Sequence, residues 1–356
     1  MDFCFFHCYT SLSTFIIKDD SALTSLGKTL KFQFKTNKKF LLPISFLEQF
    51  FALLIFGWKT DIFIIQFAGY HSLLPCLFAR LTGKKSIIIS GGTDCVSFPN
   101  LGYGNFNRPF LRSFTRWSYL LCTAIAPKHE SLWYTGYNYD SKEPAFQGIR
   151  AFVPELKEKH TAIPNGYDCS VWKADPSVER RPNHFITVSG AFEYPFQVQL
   201  KGIDLILQAA PHFPDCHFTI LGVPEWKKLD IQSSNVTVCP PVENSQLPKL
   251  FSSYAFYIQL SMAEGFPNAL CEAMLCGCTP IVSNVFSMPE IVQDIGFILH
   301  HRNSTEFREL LEQACRKGQN DPDVVRRKIT ERYGINERKK ALVSLLHSLV
   351  PGHSSR

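Results

Sequence analysis

The sequence predicts an α/β protein of two open, doubly wound domains in tandem, facing a cleft. Two observations carry that expectation. Short β-rich apolar runs alternate with helical segments, and the alternation breaks midway and starts again. The length of 356 residues exceeds what one ordinary compact core uses and suits two such domains.

In the first half, residues 61–67 form an apolar run through Ile62, Phe63, Ile64 and Ile65, the signature of a parallel strand buried on both faces. A helix over 73–81 follows, ended by Gly83, and residues 85–90, with Ile87, Ile88 and Ile89, form the next strand. That strand runs into Gly91-Gly92-Thr93-Asp94. Strand, helix, strand in this rhythm is a βαβ unit. Residues 108–121 read as a helix and 122–126 as a short strand. The N-terminal residues 1–9 read as a first strand: no basic residues precede the apolar run and no small-residue cleavage site follows it.

Residues 140–183 break the pattern with Pro, charge and an Asn165-Gly166 turn signal. It resumes with a strand over 184–189 ending at Gly190, a helix over 202–210, and a strand over 217–221 ending at Gly222. A strand over 255–260, a helix over 269–276 closed by Gly277, a strand over 279–283 and a helix from 289 complete the second half. The boundaries expected are 1–172 for the first domain, 173–335 for the second, and 336–350 for a C-terminal helix that crosses back to the first.

Composition narrows the function classes. Apolar residues make up 45%, charged residues only 19%, and aromatics 13%, with 31 Phe. The net charge of +6 comes without long basic runs, which argues against nucleic acid and suits an anionic small molecule or membrane surface. Twelve Cys include no CxxC, and 11 His include no HxxxH, so no metal site is expected; buried reduced thiols imply a reducing, cytoplasmic compartment. Residues 41–58 are apolar but broken by Pro43, Glu48 and Gln49, a pattern for a buried or interfacial helix rather than a membrane span. With Lys31, Lys35, Lys38 and Lys39, the region 28–58 reads either as a face that meets a membrane carrying a lipid-linked acceptor, or as a strand and core helix beside a basic loop.

The segment richest in chemistry runs from Ser261 to Met274. A strand delivers Glu264 to a loop with Gly265, Phe266 and Pro267, and a helix begins near Asn268 with Glu272 on its first turns. A helix start can hold an anion. Two carboxylates beside it make sense if they accept hydrogen bonds from sugar and ribose hydroxyls.

Residues 264–274, Glu-Gly-Phe-Pro-Asn-Ala-Leu-Cys-Glu-Ala-Met, resemble the Glu-x7-Glu signature of the retaining glycosyltransferases of group 1, or family 4, with the GT-B architecture of two Rossmann-like domains. Residues 277–282, 288–292, Ile163-Pro164-Asn165-Gly166-Tyr167-Asp168 and Lys201-Gly202-Ile203-Asp204 are also similar to that family. The resemblance is strong over residues 160–300 and weak before them. It implies transfer of a sugar, with retention, from a nucleotide-diphosphate-sugar to a saccharide or lipid-linked acceptor in surface polysaccharide or glycolipid synthesis, with no cofactor or metal. By the same resemblance, Glu264 binds donor-sugar hydroxyls and Glu272 the ribose. Gly190, Gly265, Phe266, Pro267 and Asn268 present backbone to the donor, and Lys201 neutralises the departing diphosphate. Asp94 faces the reacting centre or the acceptor; a bare strand-end turn explains Gly91-Gly92-Thr93-Asp94 as well.

The sequence departs from the family in two places. Ala191 follows Gly190 where the family usually has Arg, and residues 9–13 replace a glycine-rich turn. Ala191 opens the alternative of a non-catalytic nucleotide-sugar-binding partner; a sugar-nucleotide epimerase is the other enzyme class considered. His71 and His129 are acceptor-side candidates, although a packed or solvated His is the better explanation of each.

Overall fold

The computed structural model describes residues 3–35, 39–190, 195–224 and 229–350. Ala191, most of the loop after it, and Lys38 lie outside the described residues. The chain divides into two compact units.

The first unit holds strands β1 (Phe3–Tyr9), β2 (Gly27–Gln33), β3 (Ile62–Gln66), β4 (Lys85–Ser90) and β5 (Ala124–Pro127), all parallel, in the order β2-β1-β3-β4-β5. Helices α1 (Thr14–Thr24), α2 (Leu42–Phe56), α3 (Tyr70–Leu81) and α4 (Pro109–Leu121) connect them. Every residue of β3 is buried, as its unbroken apolar run requires. The chain order reverses between β1 and β3, and such a switch point opens a crevice outside the strands' carboxyl ends.

The second unit holds β6 (Arg181–Val188), β7 (His217–Leu221), β8 (Val236–Cys239), β9 (Tyr254–Gln259), β10 (Thr279–Ser283) and β11 (Phe297–Leu299). These too are all parallel, in the order β8-β7-β6-β9-β10-β11, with the switch point between β6 and β9. Its helices include α5 (Ile203–Ala209), α6 (Asn268–Leu275), α7 (Ser304–Lys317) and α8 (Pro322–Thr330).

A last helix, α9 (Ile335–Leu349), packs Leu342, Leu345 and Leu346 into the first unit's core. That core is made by alternate residues of its sheet: Phe3 and Phe5, Ile62 and Ile64, Ile87 and Ile89, Ala124 and Ala126. Arg338 of α9 is buried with them. Its Nε and Nη2 donate to Asp19 Oδ1 and Oδ2 at 2.7 and 2.8 Å, and its Nη1 donates to the carbonyls of Ile163 and Pro164 at 2.9 and 2.7 Å.

The unit boundaries differ from the expected 1–172 and 173–335. The first unit's main stretch ends at Asn165, and Tyr137–Ala145 belongs to the second. Long-range hydrogen bonds explain both shifts. Tyr167 N donates to Tyr333 O and Ile335 N to Tyr167 O, each at 2.9 Å, while Arg326 donates to the Cys169 and Trp172 carbonyls at 2.6 Å. Arg302 N donates to Tyr139 O at 2.7 Å. Edge strands β8 and β11 were not expected from the sequence, and β2 is the strand of one of the two readings of residues 28–58. Helix α2 departs from a core helix, since only Ser45, Gln49 and Leu53 among its residues are buried.

Candidate active site

The second unit's switch point lies between the ends of β6 and β9, and most of the polar residues singled out by sequence converge there. Alternation along β9 puts Tyr257 and Gln259 on one side, and Ser261, just past the strand, continues the row. Tyr257 Oη donates to Gln259 Oε1 at 2.9 Å, and Gln259 Nε2 donates to Ser261 Oγ at 3.0 Å. Burial pushes the Tyr257 phenol well above its ordinary pKa, with Glu264 adding to the push, so it stays a donor. The relay ends on Glu264 Oε1, which accepts from Gln259 Nε2 and Ser261 Oγ, each at 3.0 Å, and from Lys201 Nζ at 2.5 Å. Among the described residues nothing donates to Oε2. The carboxylate is therefore gripped by one oxygen and offers the other.

Lys201 reaches this point because of the glycine after it. Gly202 adopts φ +68° as the N-cap of α5, and a Cβ there would lie 2.3 Å from Leu260 O. Only glycine lets this turn close against the end of β9, where Met262 N donates to Leu200 O at 2.8 Å. Gly222 serves the neighbouring strand end in the same way: at φ +95°, its Cβ would lie 2.3 Å from Ser189 O. Gly190 is different. It is exposed, and an added Cβ meets none of the described residues within 4 Å.

Beyond Glu264, Gly265, Phe266 and Pro267 are buried, and Pro267 is the N-cap of α6, with no side chain capping the helix start. The positive end of the helix dipole faces this loop. Phe266 meets Tyr333 edge to face at 5.0 Å, and Tyr167 Oη donates to Asn268 Oδ1 at 3.0 Å. Glu272 stands half-buried on α6, four residues beyond Asn268. Sequence reasoning missed Gln259, Ser261 and Tyr333 as positioning residues. The available signal was a run of polar residues at every second position in an otherwise apolar strand.

Asp94 belongs to the other unit. Its Oδ1 accepts from the amides of Gly91 and Gly92, each at 3.1 Å, and its Oδ2 from Ala68 N at 3.0 Å and Tyr119 Oη at 2.8 Å. Cys95 Sγ also donates to Oδ1, at 3.6 Å, and with these donors drawn from its own surroundings Asp94 organises the loops at the ends of β3 and β4. Those loops line a cavity of about 370 Å³ at the first unit's switch point, with Thr10, Leu42, Tyr70, Thr93, Arg108 and Leu111 among its walls. His71 also lines it, buried, with Nε2 donating to Gln66 O at 2.8 Å; burial holds its pKa below the ordinary value. His129 Nδ1 accepts from Ser131 N at 3.2 Å and caps a turn.

At the end of β5, Lys128 is buried with Nζ 3.4 Å from the Phe15 ring centroid. Burial pushes it down to about 7; Arg338 adds to the push, and Asp19 and Asp94 oppose it. An unfolded Lys titrates near ~10.4. The unfolded chain thus binds more protons between those values, and stability rises with pH across that window. Lys128→Met is expected to raise the first unit's melting temperature at pH 6 and to lose that gain by pH 10. Equal gains at both pH values would mean the charge is not what destabilises.

Residues 184–317 match the family described as glycosyl transferases group 1. The O-antigen chain mannosyltransferase B of Escherichia coli is 39% identical over 57 residues, 16% of this chain and 15% of that protein. The chain thus matches only about a seventh of that curated relative's length. Several solved structures match nearly end to end. Sucrose-phosphate synthase from Thermosynechococcus elongatus superposes with a TM-score of 0.70 at 11% identity, covering 98% of this chain and 99% of that one. HepE from Anabaena, solved with UDP and glucose, gives 0.66 at 12% identity, covering 97% and 99%. Residues 184–317 are accordingly similar to the group 1 glycosyl transferases, and the fold of the chain is the GT-B architecture of two Rossmann-like domains.

Proposed function

We propose that this chain is a retaining glycosyltransferase of the family 4 type, moving a sugar from a nucleotide-diphosphate-sugar to a saccharide or lipid-linked acceptor in surface polysaccharide or glycolipid synthesis. The observation that carries this reading is the Glu264 carboxylate, clamped through Oε1 by Lys201, Gln259 and Ser261 inside the matched domain. A carboxylate held this way presents an oriented acceptor to sugar hydroxyls. The E. coli relative is by name a mannosyltransferase of O-antigen chains, and the Anabaena structure holds UDP and glucose, which supports these substrate classes.

In this reading the donor diphosphate lies at the start of α6 and beside Lys201. As the glycosidic bond to the diphosphate breaks, charge builds on the leaving oxygen, and the ammonium and the helix start stabilise it without a divalent metal. Lys201 has three N–H donors, so it can hold Glu264 and a phosphate oxygen together. Glu272 accepts from the ribose hydroxyls. The exposed Gly190, with none of the described residues within 4 Å of the place of its missing Cβ, lets the donor approach the backbone. Asp94 shapes the first unit's cavity, which takes the acceptor. Twelve cysteines without a disulfide support work in a reducing, cytoplasmic compartment, at the inner face of a membrane.

The test is a thermal-shift panel of nucleotide sugars and nucleoside diphosphates, followed by donor hydrolysis. A ligand that binds the folded state raises its melting temperature by mass action. Glu272→Ala is expected to weaken nucleotide binding about 10- to 100-fold, the worth of hydrogen bonds to a charged acceptor. Unchanged affinity would remove Glu272 from the ribose. Donor binding without any hydrolysis or transfer would favour the non-catalytic partner, with Ala191 as its cause.

A further inference from the structure

Helix α2 is built inside out. Two of its polar residues face the unit, while Glu48 is exposed: Ser45 Oγ donates to Lys35 O at 3.0 Å, and Gln49, 0% exposed, donates through Nε2 to His71 O at 2.8 Å. Its Ile44, Leu47, Phe50, Phe51, Leu54 and Ile55 point outward, with exposures from 43% to 61%. A surface helix in water places these classes the other way round. An unbroken apolar face of this breadth marks a surface that meets something apolar.

The neighbouring elements extend the face and give it a charge. Phe46 of α2 contacts Phe114 of α4 at 5.6 Å, and Trp58, just after α2, contacts Phe78 of α3 at 5.5 Å. Phe110 and Trp117 of α4 are exposed as well. Across α2, α3 and α4 the charged residues are Glu48 against Arg80, Arg112 and Arg116, the last paired with Glu155, and Lys59 follows α2. A second copy seated here would bring like charges together. A surface of anionic headgroups over hydrocarbon satisfies both the apolar face and its basic flank.

We propose that α2, flanked by Trp58 and the exposed aromatics of α4, docks the first unit on an anionic lipid bilayer, lying in the interface plane. Residues Leu42–Lys59 are long and apolar enough to cross a membrane by composition. The Gln49–His71 and Ser45–Lys35 bonds instead hold the helix lengthwise against the unit, and crossing would strip both. Leu42, at the start of α2, also lines the cavity with Arg108. Docking therefore brings that cavity to headgroup level, where an amphiphilic acceptor sets its anionic head near Arg108 and its chain along α2. The choice of acceptor rests on the sugar-transfer reading; the docking itself does not.

The experiment is cosedimentation of the full chain with phosphatidylcholine vesicles, with and without phosphatidylglycerol. Wild type is expected to bind the anionic vesicles about tenfold more tightly, from the attraction of a few basic residues to the surface. The double variant Phe51→Glu/Ile55→Glu is expected to lose about tenfold or more of that binding. Both positions are exposed, so the variant's melting temperature and nucleoside diphosphate affinity should match wild type. Should the variant not fold, Trp58 and Trp117 report instead: anionic vesicles blue-shift wild-type fluorescence, and Trp58→Phe/Trp117→Phe lacks that shift. Wild type left in the supernatant with both vesicles overturns the proposal. So does a wild-type dimer in ultracentrifugation that the double variant splits, which would make the occupant a second copy. Failure to bind any nucleotide would sink the sugar-transfer reading and leave the vesicle result standing.

Discussion

Glu264→Gln is expected to lower kcat about 10²- to 10³-fold, the size of effect seen when one preorganised polar group is removed from a transition state. Affinity for free nucleoside diphosphate should stay within about twofold, because the nucleotide is held elsewhere in this reading. The physical ground is the one-sided grip on the carboxylate. Three donors converge on Oε1, from Lys201, Gln259 and Ser261. An amide can satisfy them only with its oxygen, which turns its NH2 group to the sugar in place of Oε2. The donor hydroxyls then meet a donor instead of an acceptor, and Lys201 loses its fixed counter-charge. Turnover with saturating donor, set beside the equilibrium affinity for nucleoside diphosphate, separates the effects. Equal losses in both would assign Glu264 to nucleotide binding; no loss in either would remove it from the site.

How much of this was legible in the sequence depended on whether the relevant force was local. The strands β3 and β4 declare themselves, since a parallel strand covered on both faces must be apolar throughout. Edge strand β2, Gly27–Gln33, exposes Lys28, Lys31 and Gln33 among half-buried neighbours, so the sequence offers it only as one of two readings of residues 28–58. The Glu264-to-Glu272 segment was legible through its resemblance to a family. Its support was not, because Gln259 and Ser261 become donors to Glu264 only once β9 ends at the right place. The direction of α2 was hidden for a different reason. Periodicity gives two faces of a helix and does not say which one turns inward; the Gln49–His71 bond decides it. The transfer of Tyr137–Ala145 to the second unit likewise rests on a hydrogen bond to Arg302, far along the chain.

Arg338→Met is expected to destabilise the first unit by about 3–5 kcal/mol at pH 7, the cost of leaving a buried charge without its partner. Asp19 is almost wholly buried and holds both its oxygens to the guanidinium, while Gln66 Nε2 donates to Oδ2 at 2.9 Å. Burial alone pushes the Asp19 carboxyl up; the charge and hydrogen bonds of Arg338, with Gln66, outweigh it and hold the group below its usual pKa. The sign of the pH dependence follows. A depressed folded pKa contributes stability that is present above the unfolded value near ~3.9 and is lost as pH falls through the folded one. In Arg338→Met the burial is left unopposed by the guanidinium, the carboxyl titrates higher, and the variant takes up a proton where wild type does not. The gap between the two should therefore narrow as pH drops toward 4. Amide hydrogen exchange along β1 and β3, followed from pH 7 to 4, reads this unit without mixing in the unfolding of the other. The double variant Asp19→Leu/Arg338→Met should recover much of the loss, since it removes both charges together. A cost below about 1 kcal/mol, or one that does not change with pH, would mean that α9 is held by its leucines alone and that the ion pair fixes only where the helix sits.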